Sequence, residues 1–274
     1  QVYHGTPLRL VAFKDKGIKS PADFKGRKLG AQFGGEEYEV YALLDKFGLD
    51  PNKDVTLVQQ GYTMDPLLNG DVDVAEAMVY DELLALWEGG VKPEEVDIFS
   101  MADYGVAMAS QTLFVEDAWL EANKDLAVRF LRASIKGWQD AETNREEALE
   151  ITLRYIEKGV TSESLQAGVL DATMEMVVPE GMGAEGILAI DEADFANSAE
   201  IALKYGMVKE QVDVPATYTV ELWEAAAGRK TPVFPAPAAA AAPSVAITDE
   251  LKLQMSWLIS AQHVGWLIAK EKGY

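Results

Sequence analysis

Asp71-Val-Asp-Val-Ala-Glu-Ala-Met-Val-Tyr-Asp-Glu82 passes from small and β-branched residues into a short polar turn, and then into a helical pattern that ends at Gly89-Gly90. Val72 to Met78 reads as a strand and Tyr80 to Glu88 as a helix closed by glycine. The same unit repeats on either side of it. Lys28 to Phe33 is a strand, Gly34-Gly35 a turn, and Glu36 to Phe47 a helix in which Tyr38, Tyr41, Ala42 and Leu44 can face a sheet. Asp54 to Gln60 is a further strand, Met64 to Asn69 a brief helix, and Val96 to Ser100 another strand. Ser20 caps a short helix with Pro21 at its first position and Asp23 completing a capping box. Strands alternating with helices at this spacing predict an α/β protein with βαβ units and a mostly parallel sheet covered on both faces.

Beyond Tyr104 the period changes. Leu131/Ile135/Trp138, Leu149/Leu153/Ile156 and Phe195/Ala199/Ala202 recur at i, i+4, i+7 and predict amphipathic helices. Trp87, Trp138 and Trp223 fall on helices and are expected in the core. A Pro/Ala tract from Pro232 to Pro243 makes 229–249 a linker, its prolines extended. After it, Leu251, Leu253 and Met255 alternate as a half-buried strand does, and Val264, Leu267 and Ile268 follow at helical spacing up to Gly273-Tyr274. The last segment reads strand, loop, helix.

The chain has 274 residues, 49% of them hydrophobic, enough for one large or two modest domains. Its 24 Lys and Arg against 45 Asp and Glu give a formal charge of -21, which repels phosphate backbones and anionic lipid and excludes nucleic acid as a partner. No apolar run approaches the roughly 20 residues that span a bilayer, so membrane attachment, a lipid anchor included, would come from sequence outside this chain. There is no cysteine, and His4 and His263 are the only imidazoles. Disulfides, thiol nucleophiles and Cys-ligated metals are thereby excluded, and a zinc site would need carboxylates for most of its ligands. Asp71 and Asp73 do not continue into a calcium loop. Neither metal nor cofactor is expected.

The final segment, with Trp257, His263, Gly265, Ala269, Gly273 and Tyr274 in order, resembles the opening strand and first helix of the substrate-binding proteins of bacterial ABC importers. The similarity is greatest to the branch that binds thiamine's pyrimidine precursor and related flavins. Three more motifs resemble that family in order: Ile18-Lys-Ser-Pro-Ala-Asp-Phe-Lys-Gly-Arg-Lys-Leu-Gly30, Gln59-Gln-Gly-Tyr-Thr-Met-Asp-Pro-Leu-Leu68, and Asp71 to Glu82. The resemblance implies a two-lobed, periplasmic-binding-protein-like fold of type II. Lobe II would comprise 15–104, and lobe I would take 1–14 and 105–228 with the hinge and bracing helices. The strand-loop-helix of 250–274 would be the start of lobe I, from the same copy permuted or from a second tandem copy. The family carries further strands and helices between that opening unit and the equivalent of Gln1, on the order of 50 residues if two βα units, so lobe I is expected to be incomplete. Gln1 in place of an initiator Met fits a fragment or a processed product. The tail is expected to add to the lobe I sheet near Gln1 to Phe13 and the helices after Trp119, in its own chain or by exchange with a neighbour.

Ligands of two-lobed α/β proteins sit outside the carboxyl ends of the strands, which directs attention to the strand-to-helix turns. Phe33, Gly34 and Gly35 either make a tight turn only or let a flat ring approach bare backbone. They do not form a phosphate loop: no Gly-Lys-Ser/Thr follows, and Glu36 and Glu37 occupy the helix N-terminus an anion would want. Carboxylates there accept hydrogen bonds from ring amines, ring N–H groups or hydroxyls and disfavour sulfonates. The resemblance favours Glu37 as the ligand group, with Glu36 a solvated cap. Tyr80 can stack on a heterocycle or pack under its helix. Asp81, where the family usually has Asn, and Glu82 stand beside it. Tyr104, Trp257 and His263 complete the candidates, the last two drawn from lobe I by resemblance.

The resemblance implies the solute-binding component of an ABC importer, periplasmic or extracytoplasmic. It would capture a small heterocycle, a hydroxymethylpyrimidine-type thiamine precursor first and riboflavin or another flavin second, and close by hinge motion to dock on a membrane permease. Thiamine-pyrimidine synthases share the fold, but their Cys-rich segment falls near Ser100 to Val115, where this chain has Asp103-Tyr-Gly-Val-Ala-Met-Ala-Ser110. No nucleophile-base pair offers another reaction. The expectation is a binding protein and not an enzyme, with a tandem or self-associating module left open by the linker.

Overall fold

The structure, a computed structural model, describes residues 1–230, 252–255 and 259–274. Two compact units result: Gln1–Thr112 with Asp191–Tyr218, and Leu113–Ile190 with Thr219–Tyr274. This cut differs from the lobes implied by resemblance, since residues 1–14 carry a central strand of the first unit.

All strands among the described residues belong to the first unit: β1 (Leu8–Phe13), β2 (Lys28–Ala31), β3 (Thr56–Gln59), β4 (Ala75–Met78) and β5 (Val96–Ser100). Its helices are α1 (Glu37–Lys46), α2 (Asp65–Leu68) and α3 (Glu82–Glu88). β2 and β3 pair in parallel, and β1 pairs antiparallel with both β4 and β5. A parallel bridge, Leu29 to Val74, joins the two sheets, with Gly30 N–H donating to Val74 O at 2.8 Å. The order is therefore β3-β2-β4-β1-β5. Four strands point the same way and β1 alone runs against them.

Both faces of this layer are buried, as the sequence predicts. Leu8, Leu10, Ala12, Leu29 and Val74 pack on one side with Phe24, Val40, Leu43 and Leu44. Val11, Ala75 and Ala77 pack on the other with Met64, Leu67, Leu83 and Leu86. At ~25 cal/mol per Å², each of the fully buried leucines contributes about 1.5–3 kcal/mol. The expected capping box forms: the Asp23 carboxylate accepts from Ser20 N–H at 2.9 Å, and the Lys19 N–H first and this Ser20 N–H second lower its pKa.

The second unit is helical among the described residues: α4 (Asp117–Ala122), α5 (Lys124–Thr143), α6 (Arg145–Tyr155), α7 (Glu163–Val177), α9 (Glu221–Ala227) and α10 (Val264–Glu271). α8 (Glu192–Lys204) returns to the first unit. On α5, Ile135 and Trp138 are buried as expected, whereas α6 buries Ala148, Ile151 and Thr152, one position off the stripe Leu149/Leu153/Ile156. Arg132 caps the end of α9 by donating to the Ala225 and Ala226 carbonyls, where the helix dipole favours a cation. Trp223 is core, its indole N–H donating to Ile187 O at 2.8 Å.

α10 forms as predicted and packs on α5 and α6. The Trp138 and Trp266 rings meet edge to face at 5.7 Å, and Lys272 bridges Asp140 and Glu147 at 2.8 and 2.7 Å. The preceding strand does not form where the chain is described: Lys252 to Met255 has no ladder partner among the described residues. Leu251 and all of the 229–249 linker beyond Lys230 lie outside the described residues. No helix among the described residues is long and apolar enough to cross a membrane.

Candidate functional site

The register of the first unit brings one set of strand ends to a single edge. Leu8 at the start of β1 faces Met78 at the end of β4, and Arg9 faces Ser100 at the end of β5, while β2 and β3 end together at Ala31 and Gln59. The loops after these strands therefore emerge side by side. In α/β sheets this carboxyl edge is where ligands bind.

After β2 the chain turns through Gln32 to Glu36. Gly34 and Gly35 adopt φ of 139° and 152°, values open to glycine and strained for any side chain. Both of their N–H groups donate to Glu37 Oε2, at 2.9 and 2.7 Å, so one oxygen of Glu37 holds its own loop. The Phe33 ring is 43% exposed at the tip.

After β4, Glu82 closes a second turn. Its Oε2 accepts from Met78 N–H at 3.0 Å and its Oε1 from the Gln32 side-chain amide at 3.2 Å. Beside it, burial first and the Glu82 charge second push the Asp81 carboxyl up to about 6. Tyr80 packs its ring on buried Tyr3, centroids 5.7 Å apart, and its hydroxyl hydrogen-bonds the Gln111 side chain. Burial raises that phenol to about 12.

Glu76, in the middle of β4, is a residue the sequence reading passed over. It is 0% exposed, on the α1 side of the sheet. Its Oε2 accepts from Gln32 N–H, and its Oε1 has no partner among the described residues. Burial, with the Glu36, Glu37 and Glu39 charges behind it, raises its carboxyl to about 8. Glu39 on α1 is likewise raised to about 8 by burial, and its Oε1 accepts from Met108 N–H at 2.8 Å. The legible signal was a lone acid flanked by alanines, Ala75-Glu76-Ala77, in a strand buried on both faces.

Of the expected residues, Gly34, Gly35, Glu37, Tyr80, Asp81 and Glu82 stand on the two adjoining turns, with Gln32 tying one to the other. Phe33 shares the first turn. Tyr104 stands apart, its ring edge-on to Phe47 at 5.5 Å beyond the end of α1. His263 belongs to the helical unit, where it is 2% exposed in the turn before α10, 6.1 Å from the Trp266 ring. Trp257 lies outside the described residues. Among the described residues no group of three or more His, Cys, Asp or Glu is placed to hold a metal ion.

The turns are rich in hydrogen-bond acceptors and poor in cations. Arg9 is the nearby base, and its guanidinium is taken up by the Thr6 and Leu8 carbonyls at 2.9 and 2.8 Å. Such a site suits donors, ring N–H, amine or hydroxyl, beside an aromatic ring, and repels anions.

The profile of the family described as NMT1/THI5 like matches residues 1–148. The riboflavin-binding protein RibY of Chloroflexus aurantiacus is 27% identical over 227 residues, 80% of this chain and 62% of that protein. The periplasmic sulfonate-binding protein SsuA of Methylobacillus flagellatus superposes with a TM-score of 0.57 at 20% identity, over 81% of this chain and 66% of that one. The aliphatic sulphonate binding protein SsuA of Escherichia coli gives 0.56 at 16% identity, over 92% and 75%. The chain thus spans less than two thirds of the length of RibY and of the first SsuA. The fold is that of these periplasmic binding proteins, and at such identities the two structures speak to fold alone.

Proposed function

Because the chain belongs to the NMT1/THI5-like family, we propose that it serves as the solute-binding part of an ABC import system, capturing a flat, neutral or weakly basic heterocycle outside the cytoplasm for a membrane permease. The observation that carries this reading is the pair of turns after β2 and β4. Glu37 and Glu82 shape them, Gln32 joins them, and Tyr80 supplies an aromatic face at their edge. Kinship to a protein named for riboflavin favours a flavin over the thiamine pyrimidine precursor. Both offer a flat ring with N–H or amine edges. Similarity of fold to sulfonate-binding proteins does not extend the reading to sulfonates, because the carboxylates at these turns oppose an anion. The preference for binding over catalysis rests on the sequence, which has no cysteine to match the Cys-rich segment of the synthases.

Titration calorimetry with riboflavin, 4-amino-5-hydroxymethyl-2-methylpyrimidine and an alkanesulfonate tests the reading. Riboflavin is expected to bind, the pyrimidine to bind equally or more weakly, and the sulfonate not at all. Tight sulfonate binding with none for either heterocycle overturns it.

A further inference from the structure

We infer that Glu76 is itself a ligand-contacting residue, its Oε1 accepting a hydrogen bond from a nitrogen of the bound heterocycle; this deepens the binding reading above and rests on it. In an isolated ladder of small residues an apolar side chain would serve at this position. A carboxyl oxygen buried without a partner costs stability, and such orphans concentrate where a molecule does chemistry or binding.

The surroundings hold Glu76 in place and leave one contact open. The Gln60 carboxamide takes both of its backbone groups, donating to Glu76 O at 2.7 Å and accepting from Glu76 N–H at 3.1 Å. Gln32 N–H fixes Oε2. Oε1 is left without a donor among the described residues. The charged and titratable groups that face it are Glu36 at the head of α1 and Glu37, Glu39 and Tyr41 on α1, none of them a cation. In its ionised form Oε1 lacks a donor among the described residues. An N–H edge of a flat ring supplies one, and a sulfonate or carboxylate does not.

Glu76 is 0% exposed, so a ligand reaches Oε1 only when its cover gives way; the nearby Gln32 to Glu36 loop, held through two glycine N–H groups by Glu37, presents no side chain at Gly34 or Gly35. Burial raises the carboxyl to about 8, so near neutral pH the neutral acid is in equilibrium with the anion. A ligand N–H at Oε1 pairs with the anion and not with the neutral acid, so its binding near pH 7 draws Glu76 to the ionised form and the proton leaves to solvent.

The test is calorimetry of riboflavin and of 4-amino-5-hydroxymethyl-2-methylpyrimidine binding near pH 7, in two buffers of different ionisation enthalpy, with the parent protein and Glu76→Gln. The parent is expected to release a proton on binding. The isosteric variant is expected to release none and to bind about tenfold more weakly. Infrared difference spectra of the parent provide a second readout that needs no variant: ligand should bleach a protonated carboxyl C=O band. A folded Glu76→Gln that binds like the parent with the same proton count overturns the inference and leaves the binding reading standing. So does a carboxyl band that ligand leaves unchanged. If the parent binds neither heterocycle, the binding reading falls and this inference falls with it.

Discussion

Gln60 pairs with the backbone of Glu76 through its side chain, Nε2 to O at 2.7 Å and N–H to Oε1 at 3.1 Å. The carboxamide thus does at the sheet edge what a neighbouring strand would do further in. It fits because the β2 residue beneath the carboxamide is Gly30, where a Cβ would sit 2.3 Å from Gln60 Oε1. One side chain therefore links β2, the end of β3 and the buried acid of β4.

Replacing Gln60 by Ala leaves a buried N–H and a buried carbonyl without partners, each costing about 1–3 kcal/mol. Gly30→Ala is expected to destabilise by about 1–3 kcal/mol through overpacking against the same carboxamide. The double variant should lose less than the sum, since removing the carboxamide removes the clash. Urea unfolding of the four proteins measures this coupling. Strict additivity would show that the two residues do not meet.

Tyr80 separates stacking from packing. Tyr80→Ala should weaken riboflavin binding by about 1–3 kcal/mol if the ring faces the ligand, while Tyr80→Phe, which keeps the ring on Tyr3, should retain most of the affinity. A Tyr80→Ala protein that melts lower but binds like the parent would assign the ring to the Tyr3 contact alone.

The two buried acids make stability depend on pH around neutrality. Glu39 and Glu76 are raised by burial from 4.5 to about 8 in the folded chain. The folded state therefore holds more protons than the unfolded one between these values, and stability falls as pH rises. Their contribution is fully present below about 4.5 and is lost as pH climbs through about 8. Each unit of displacement corresponds to about 1.4 kcal/mol. Asp81, raised to about 6, acts in the same sense, whereas the Gln1 amino group, lowered by burial from 8.0 to about 5, opposes them between these values; Asp23, Asp45, Asp50 and Asp54 are lowered, so their opposite dependence lies below 3.8. Urea midpoints are expected to drop between about pH 5 and about pH 9, and Glu76→Gln and Glu39→Gln should each flatten the slope. A slope that neither variant changes would contradict the burial argument.

The sequence announced which stretches become strands far better than which strands become neighbours. Val96 to Ser100 forms over its full expected length. Val72 to Met78 pairs with β1 only from Ala75 onward, because Val74 turns its hydrogen bonds to β2. Alternation reports the face a residue occupies and says nothing of what lies alongside, so the reversed β1 between β4 and β5 was not readable. The same limit applies to Lys252 to Met255, which alternates like a strand yet has no partner where described. In the candidate turn, the backbone geometry at Gly34, Gly35 and Glu37 was legible because a glycine pair before a helix start constrains the backbone itself. Glu76 was passed over, because one acid in an alternating stretch taken alone reads as the solvent face of a half-buried strand. Only burial of both faces makes it an internal acid.

α5 and α10 approach each other backbone to backbone. A Cβ on Gly137 would lie 1.9 Å from Gly265 O, and one on Gly265 would lie 2.2 Å from the fully buried Trp138 ring. Neither neighbour can yield cheaply, since one is main chain and the other is fixed edge-on to Trp266. Gly265→Ala is therefore expected to destabilise the helical unit by about 1–3 kcal/mol or more, with Val264, Leu267 and Ile268 losing their cover. Hydrogen exchange reads the result locally: amides of Val264 to Glu271 should be protected in the parent and exchange faster in the variant, ahead of those in β1 and β4. If the parent already exchanges there as fast as an unfolded peptide, or the variant melts like the parent, α10 is not held on α5 by this contact.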